Sequence, residues 1–505
     1  MMDLEHYFKQ FRDNIIGVDQ HYFTPYGRKK LIYADWIASG RIYKPIEERM
    51  TYSIGPFVSN THTETSETGR LMTETYRLAQ ERIKQHVNAG SQDVILNTGF
   101  GMTGAIVKFQ RILGLKICGD LANHKGLHDE ERPVVFITHM EHHSNQTSWY
   151  ETAADVVVIE PGEDLLVDLD NLESALIKYK DRKRKIGSFT ACSNVTGIRT
   201  PYHKMARLMH EYGGVAFIDL AASAPYDEID MHPADPLEKL DAVLFSPHKF
   251  LGGPGSSGVL IFDSALYNNK VPDQPGGGTV DWTNPWGEYK FIDDIEIRED
   301  GGTPGFLQAI RTAFAIELKE QMGTHLIHLR EEELVQQAFQ DMSKIPGLHI
   351  LADNVRDRLG IISFYIDSIH YNLIVKLLSD RFGIQMRGGC VCAGTYGHYL
   401  LHVSHDRSKK ITDKINHGDL SEKPGWVRLS LHPTLKNDEL SYITNSIHQI
   451  AIHHTIWGRD YEYDKHTNDF RHKTGATHYL QARTLLSLPA INVDSLVTEP
   501  VYIGQ

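Results

Sequence analysis

Short apolar runs recur along the chain between about residues 93 and 262. Each is followed by a turn-rich or helically spaced stretch. Asp93-Val-Ile-Leu-Asn97, Val134 to Thr138, Val156 to Glu160, Phe189 to Cys192, Val215 to Asp219, Asp241 to Phe245 and Gly258 to Phe262 have the length and continuity of buried strands. Ala105 onward, Leu172 to Tyr179 and Lys204 to Tyr212 read as the helices between them. This β-α alternation predicts a mostly parallel sheet with helices on both faces. Upstream, residues 4 to 16 and Met72 to His86 carry helical periodicity, and Leu31 to Ala34 read as a brief strand. Downstream, helices over Leu307 to Met322, Glu331 to Ser343 and Tyr371 to Phe382, with a strand over Ile361 to Ile366, predict a smaller α+β domain.

The expected organisation has four parts. Residues 1–30 form an N-terminal segment packing on the small domain, 31–319 a large domain, 320–455 the small domain and 456–505 an extension without assigned chemistry. Residues 117–132 read as a polar surface insertion, and 402–424 as a second one. The basic run from Lys178 to Lys185 reads as a solvated helix end, suited to the dipole.

Composition narrows the class. With 52 Lys and Arg against 65 Asp and Glu, the net charge is −13, which disfavours nucleic acid and anionic membranes as partners. No apolar run reaches membrane-spanning length, the N-terminus lacks a signal-peptide core, and four cysteines make no disulfide framework. The expectation is a cytoplasmic protein.

The chemistry lies at the strand ends. Thr103, His142, Asn194, Asp219, Ser246 and Lys249 each fall just past an apolar run. They therefore share the carboxyl edge of the sheet, where open α/β sheets bind ligands. A lysine there is costly unless paired or reactive. Its head can snorkel to solvent. Alternatively, burial frees the amine as a nucleophile for a Schiff base, and pyridoxal phosphate (PLP) is the commonest carbonyl cofactor of that kind. Thr98-Gly-Phe-Gly-Met-Thr-Gly104 matches G-x-G-x-x-G, so an NAD(P) oxidoreductase is a competing class. The physical content of the match is a phosphate cradle of backbone N–H groups around Gly101, Met102 and Thr103, which PLP uses equally. PLP also needs an acid beside its ring nitrogen (Asp219), a face partner (His142), a donor to its phenolic oxygen (Asn194) and further phosphate donors (Ser246, His248). Lys249 supplies the Schiff base and moves the proton. Asn60 and His62 either cap the following region or face a substrate.

The stretches EHHSN, SNVTG, FIDLAAS and SPHKFLGGPG, spread over roughly residues 30 to 450, resemble the class V aminotransferase-fold PLP enzymes. They lie closest to the cysteine desulfurase and selenocysteine lyase branch. The resemblance implies an α/β protein of PLP fold type I, with a seven-stranded-type, mostly parallel sheet in its large domain. It implies a homodimer in which Thr303, in Gly302-Thr-Pro304, reaches the partner's phosphate. One departure is that the family's usual glutamine after the ring-nitrogen aspartate is Ala222 here, leaving Asn194 to contact the phenolic oxygen alone.

In desulfurases a loop of form R-x-G-x-x-C-A carries the sulfur-accepting cysteine. Arg387, Gly389, Cys392 and Ala393 match it, and the neighbouring glycines favour mobility and the arginine a thiolate. Arg428, in Trp426-Val-Arg-Leu-Ser430, matches the arginine that holds a substrate carboxylate as a bidentate pair. Arg387 and His62 complete the expected substrate contacts. Cys390 is a rival nucleophile or redox partner. Cys390, Cys392, His398 and His402 also have a spacing open to metal, but such short patterns recur by chance and no metal is expected. The reading is a cysteine desulfurase that converts L-cysteine to L-alanine through an enzyme persulfide and passes sulfur to an acceptor protein. Its alternatives are an aminotransferase, an epimerase, a selenocysteine or C–S lyase, and a non-catalytic PLP-binding protein.

Overall fold

A computed structural model describes residues 2–61, 63–116, 130–475 and 483–487. Its centre is a seven-stranded sheet made of β1 (Asp93–Thr98), β2 (Val134–Thr138), β3 (Asp155–Ile159), β4 (Lys185–Thr190), β5 (Val215–Asp219), β6 (Ala242–Phe245) and β7 (Gly258–Asp263). The spatial order is β3-β2-β4-β5-β6-β7-β1. All neighbours pair in parallel except at β7, which runs antiparallel to both β6 and β1. This is not the 3-2-1-4-5-6 order of a dinucleotide-binding sheet, so the fold does not support the oxidoreductase alternative.

Both faces of the sheet are buried, which explains the unbroken apolar runs. Val134 and Phe136 pack into one core with Phe189, Ile218 and Val243. Their chain neighbours Val135 and Ile137 pack into another, with Phe217 and Leu244. The alternation of side chains across a strand thus feeds two cores from each run.

Helix edges differ locally from expectation. The helix after β1 opens at Met102, because Gly101 takes φ +84° and serves as its N-cap. The basic run is not simply a solvated end. Lys185 begins β4, is buried, and donates to the carbonyls of Lys180 and Arg182, while Arg182 pairs with Asp155 at 2.6 Å.

A second sheet, all antiparallel, contains β8 (Leu348–Ile350), β9 (Ile361–Ile366), β10 (Arg387–Gly389) and β11 (Trp426–Ser430) in the order β8-β9-β11-β10. Helices Thr324–Met342 and Asn437–Trp457 cover it through Leu334, Phe339, Ile443 and Ile447. The polar stretch 402–424 contains helix His405–Asn416, with Ile411 as its buried residue. A hairpin, Tyr461–Asp464 with Asp469–His472, lies against that stretch, where Leu420 N–H donates to the Lys465 carbonyl at 2.8 Å. Among the described residues no helix is long and apolar enough to cross a membrane. The polar stretch 117–132 lies mostly outside the described residues.

Candidate active site

The strand ends of the central sheet meet β10 and β11 around a cavity of about 190 Å³. Met102, Thr103, His142, Asn194, Asp219, Ser246, His248 and Lys249 line its central-sheet side. Arg387, Cys392 and Arg428 line the other. Residues as far apart in the chain as Ile37 and Arg428 therefore share one space.

At the base, Asp219 ends β5 and is buried, with the Ala221 N–H donating to it at 2.9 Å. Burial pushes its carboxyl up to about 6. Lys249 closes the short turn Pro247–Lys249 after β6. Burial lowers its amine to about 8, against the pull of the Asp219 charge. Its amine makes no hydrogen bond or ion pair with another described residue.

The helix Met102–Ile112 points its N-terminus into the cavity with no side chain capping it. Beyond Met102, its first-turn N–H groups are thus left for an anion. Met102 N–H donates to Ser246 Oγ at 2.8 Å, and the Thr103 and Ser144 hydroxyls meet at 2.6 Å. A Cβ on Gly101 would fall 2.7 Å from both His248 Cε1 and Ser246 Oγ. The glycine is what lets backbone, serine and imidazole crowd one spot.

His142 caps helix His143–Tyr150, and the Ser144 N–H donates to its Nδ1 at 3.1 Å. Nδ1 therefore holds the lone pair and Nε2 the proton. Burial pushes this imidazole down to about 3, with the Lys249 charge adding to the effect, so it is neutral throughout the physiological range. The turn that carries it is fastened by Glu141. This buried carboxylate accepts from Thr138 Oγ1 at 2.7 Å, Thr190 N–H at 2.9 Å and Asn145 Nδ2 at 2.7 Å. It thus ties the end of β2 to the end of β4, a role the sequence did not announce.

The small-sheet side departs more from expectation. Arg387 and Arg428 stand directly opposite each other across β10 and β11. Arg428 is only 3% exposed; its Nη2 donates to Asp35 Oδ1 at 2.9 Å and its Nη1 to the Asn194 carbonyl at 3.2 Å, while its Nε is buried without a partner. Part of the fork expected to be free for a substrate carboxylate is thus already engaged. Arg387 is exposed and forms no ion pair among the described residues. Asn194 is also partly engaged. Its Nδ2 donates to the Val391 carbonyl at 2.8 Å, and its unpartnered buried atom is the acceptor Oδ1.

The cysteine loop is hydrogen-bonded to the opposite wall at several points. His143 N–H donates to the Cys392 carbonyl at 2.8 Å, Gly394 N–H donates to His143 Nε2 at 3.0 Å, and Thr395 and Gln146 exchange hydrogen bonds. Val391 (φ +43°) and Cys392 (φ +61°) lie consecutively in the left-handed region, which is strained for both and most for the β-branched valine. Cys392 lines the cavity; Cys390 does not, and packs partly buried beside Trp426 and Tyr396. Cys192 lines the cavity as well, which the sequence reading missed. It is buried, its thiol is pushed up by burial, and it lies against the Ser193 carbonyl.

The remaining candidates stand apart. Thr303 is exposed and outside this cavity, and His62 lies outside the described residues. His398 is engaged by the Gly394 carbonyl and Ser408 Oγ. Among the described residues no three His, Cys, Asp or Glu side chains converge as a metal site.

The residues present fit PLP. An uncapped helix N-terminus beside a glycine no side chain could replace suits the phosphate, a buried carboxyl suits the ring nitrogen, and a neutral imidazole suits the ring face. An unpaired amine of lowered pKa suits the carbonyl.

Comparison with known proteins agrees. The model of the aminotransferase class-V family matches residues 32–443. A probable cysteine desulfurase of Halalkalibacterium halodurans is 29% identical over 72% of this chain and 84% of its own length. One from Staphylococcus epidermidis is 30% identical over the same shares. Among solved structures, a cysteine desulfurase of Thermococcus onnurineus, determined without ligand, superposes with a TM-score of 0.69 at 21% identity, over 88% of this chain and 98% of that one.

Proposed function

From the premise that this chain belongs to the aminotransferase class-V family, as a PLP-dependent, cysteine desulfurase-like enzyme, we propose that it converts L-cysteine to L-alanine and keeps the sulfur on Cys392. Bound in the cavity, PLP supplies the electron sink that makes the substrate's α-proton removable. The Asp219 carboxylate would hold the proton on the cofactor's ring nitrogen, and the Thr103, Ser246 and His248 side chains with the helix N–H groups would hold its phosphate. The neutral ring of His142 would face its ring and offer Nε2–H to the reacting groups. The Lys249 amine, whose protonation burial weakens, would anchor the cofactor's carbonyl and would carry the α-proton. Arg428 takes the substrate carboxylate on its remaining N–H groups, and the lone acceptor Asn194 Oδ1 suits the substrate's α-ammonium.

The observation that carries the reading is that Cys392 lines the same cavity as Lys249. Its thiolate attacks the substrate sulfur, the C–S bond breaks, and alanine leaves behind a Cys392 persulfide. The persulfide then passes its outer sulfur to a thiol of an acceptor protein. Incubation with L-cysteine without reductant, followed by peptide mass analysis, tests this. One added sulfur on Cys392 is expected. Turnover without it, or turnover confined to selenocysteine or to an amino acid lacking both elements, assigns the protein to a lyase, epimerase or aminotransferase reading.

The same reading includes a homodimer with Thr303 serving the partner's cofactor. Thr303 stands exposed outside its own cavity, and Phe100 at the mouth is 94% exposed, both of which suit a covering second subunit. An active, PLP-loaded monomer in sedimentation contradicts it. The division into 1–30, 31–319, 320–455 and 456–505 belongs to the same proposal, and limited proteolysis between these parts tests it.

A further inference from the structure

Two arginines placed side by side on neighbouring strands repel each other. The fold resolves this unevenly. Arg428 is nearly out of reach of water, and one carboxylate, Asp35, meets it at 2.9 Å. Arg387 faces solvent at the cavity and has no such partner among the described residues.

Asp35 is itself fixed to the strand that carries Arg428. It forms a parallel bridge with Ser430, whose N–H donates to the Ala34 carbonyl at 2.9 Å and whose Oγ accepts from Ile37 N–H at 3.1 Å. Ile37 and Ala38, next along the chain, line the cavity. A short N-terminal strap thus delivers a carboxylate behind Arg428 and continues into the cavity wall. The Asn194 carbonyl holds the other terminal nitrogen at 3.2 Å. Two of the five N–H groups are spent on fixing the plane of the guanidinium, and three remain, the buried Nε–H among them.

Resting on the α-amino acid reading above, we propose that Asp35 is a positioning residue that fixes and neutralises Arg428, so that Arg428 orients the substrate carboxylate while Arg387 supplies the net charge that attracts it. A pair of zero net charge selects by geometry, whereas an exposed, unpaired cation acts through the long-range field. The division predicts opposite kinetic signatures for the two sides.

The test uses the PLP-loaded enzyme, with L-cysteine turnover at low and high salt and calorimetric binding of L-alanine. Asp35→Asn uncovers the Arg428 charge and loosens its plane. We expect kcat to fall about tenfold with KM unchanged or lower, and L-alanine to bind as tightly or more tightly. Asp35→Glu, which keeps the charge, recovers part of kcat. Arg387→Gln raises KM about tenfold at low salt, with kcat within about twofold and the salt dependence of KM largely removed. Should Asp35→Asn fail to fold, the Asp35→Glu and Arg387→Gln arms still decide. Unchanged kcat in Asp35→Asn, weaker L-alanine binding in it, or an unchanged KM in Arg387→Gln overturns the inference alone. A parent enzyme that binds neither L-alanine nor L-cysteine overturns the α-amino acid reading with it.

Discussion

The two walls of the cavity are built differently. The central-sheet wall consists of strand ends and one helix N-terminus, backed by two apolar cores and by the Glu141 network. Its side chains are held by rigid neighbours: Asp219 accepts from the Ala221 N–H, and the Lys249 amine has no partner among the described residues. The small-sheet wall consists of two facing arginines, a strained and clamped cysteine loop, and a carboxylate imported from the N-terminal strap. The first is a preformed socket for a group that stays. In the proposed function the second handles a substrate that changes at each turnover, and its charges are partly compensated in advance. Preorganisation is inexpensive where stable elements supply it and costs strain where a loop must.

The difference sharpens under substitution. Lys249→Ala is expected to have the largest effect. The visible Schiff-base absorption of the purified protein disappears and alanine formation falls by about 10⁴-fold. Gly101→Ala is next on the same wall. Its methyl lands 2.7 Å from His248 and Ser246 at a positive φ, so cofactor occupancy after purification should collapse although nothing reactive was altered. On the opposite wall, Arg428→Met leaves Asp35 buried without its cation. Thermal unfolding should show a loss of about 3 kcal/mol, with cofactor absorption retained in the folded fraction.

A smaller effect is expected from pH. The Lys249 amine is lowered from 10.5 to about 8, so its reactive, neutral form grows as pH rises through about 8. The rate at which cofactor-free protein takes up PLP should climb to about that pH and then level. Between about 8 and 10.5 the unfolded chain holds the extra proton, so this group's contribution to stability rises with pH there and is absent below it. An uptake rate that is flat from pH 6 to pH 9 on the order-of-magnitude scale contradicts a buried, reactive amine.

How much the sequence revealed follows the same boundary. The central-sheet wall was readable because a strand buried on both faces is an unbroken apolar run, and whatever follows it must surface at one edge. Asp219, Ser246 and Lys249 needed no more than that. Asp35 was not readable as a partner of Arg428, since they are far apart in the chain and meet only through a two-residue strand paired with Ile384–Gln385 and a single bridge to Ser430. The fastening of the loop was not readable: its glycines are visible in the sequence, whereas His143, Gln146 and Asn194, which hydrogen-bond to it, come from the other wall. The engagement of the Asn194 amide was hidden for the same reason: its partner, the Val391 carbonyl, belongs to a distant segment. Likewise, the hairpin Val280–Thr283 with Tyr289–Phe291 lies outside both large sheets and exposes Trp286, so no buried run announced it.

The two walls are joined by one claim: Cys392 receives the sulfur in the cavity that Lys249 serves. Alanine release from L-cysteine, measured in Cys392→Ser and Cys390→Ser proteins of equal PLP absorption, tests it most directly. Cys392→Ser should form almost no alanine, while Cys390→Ser keeps the parent rate. Undiminished alanine formation by Cys392→Ser would contradict it.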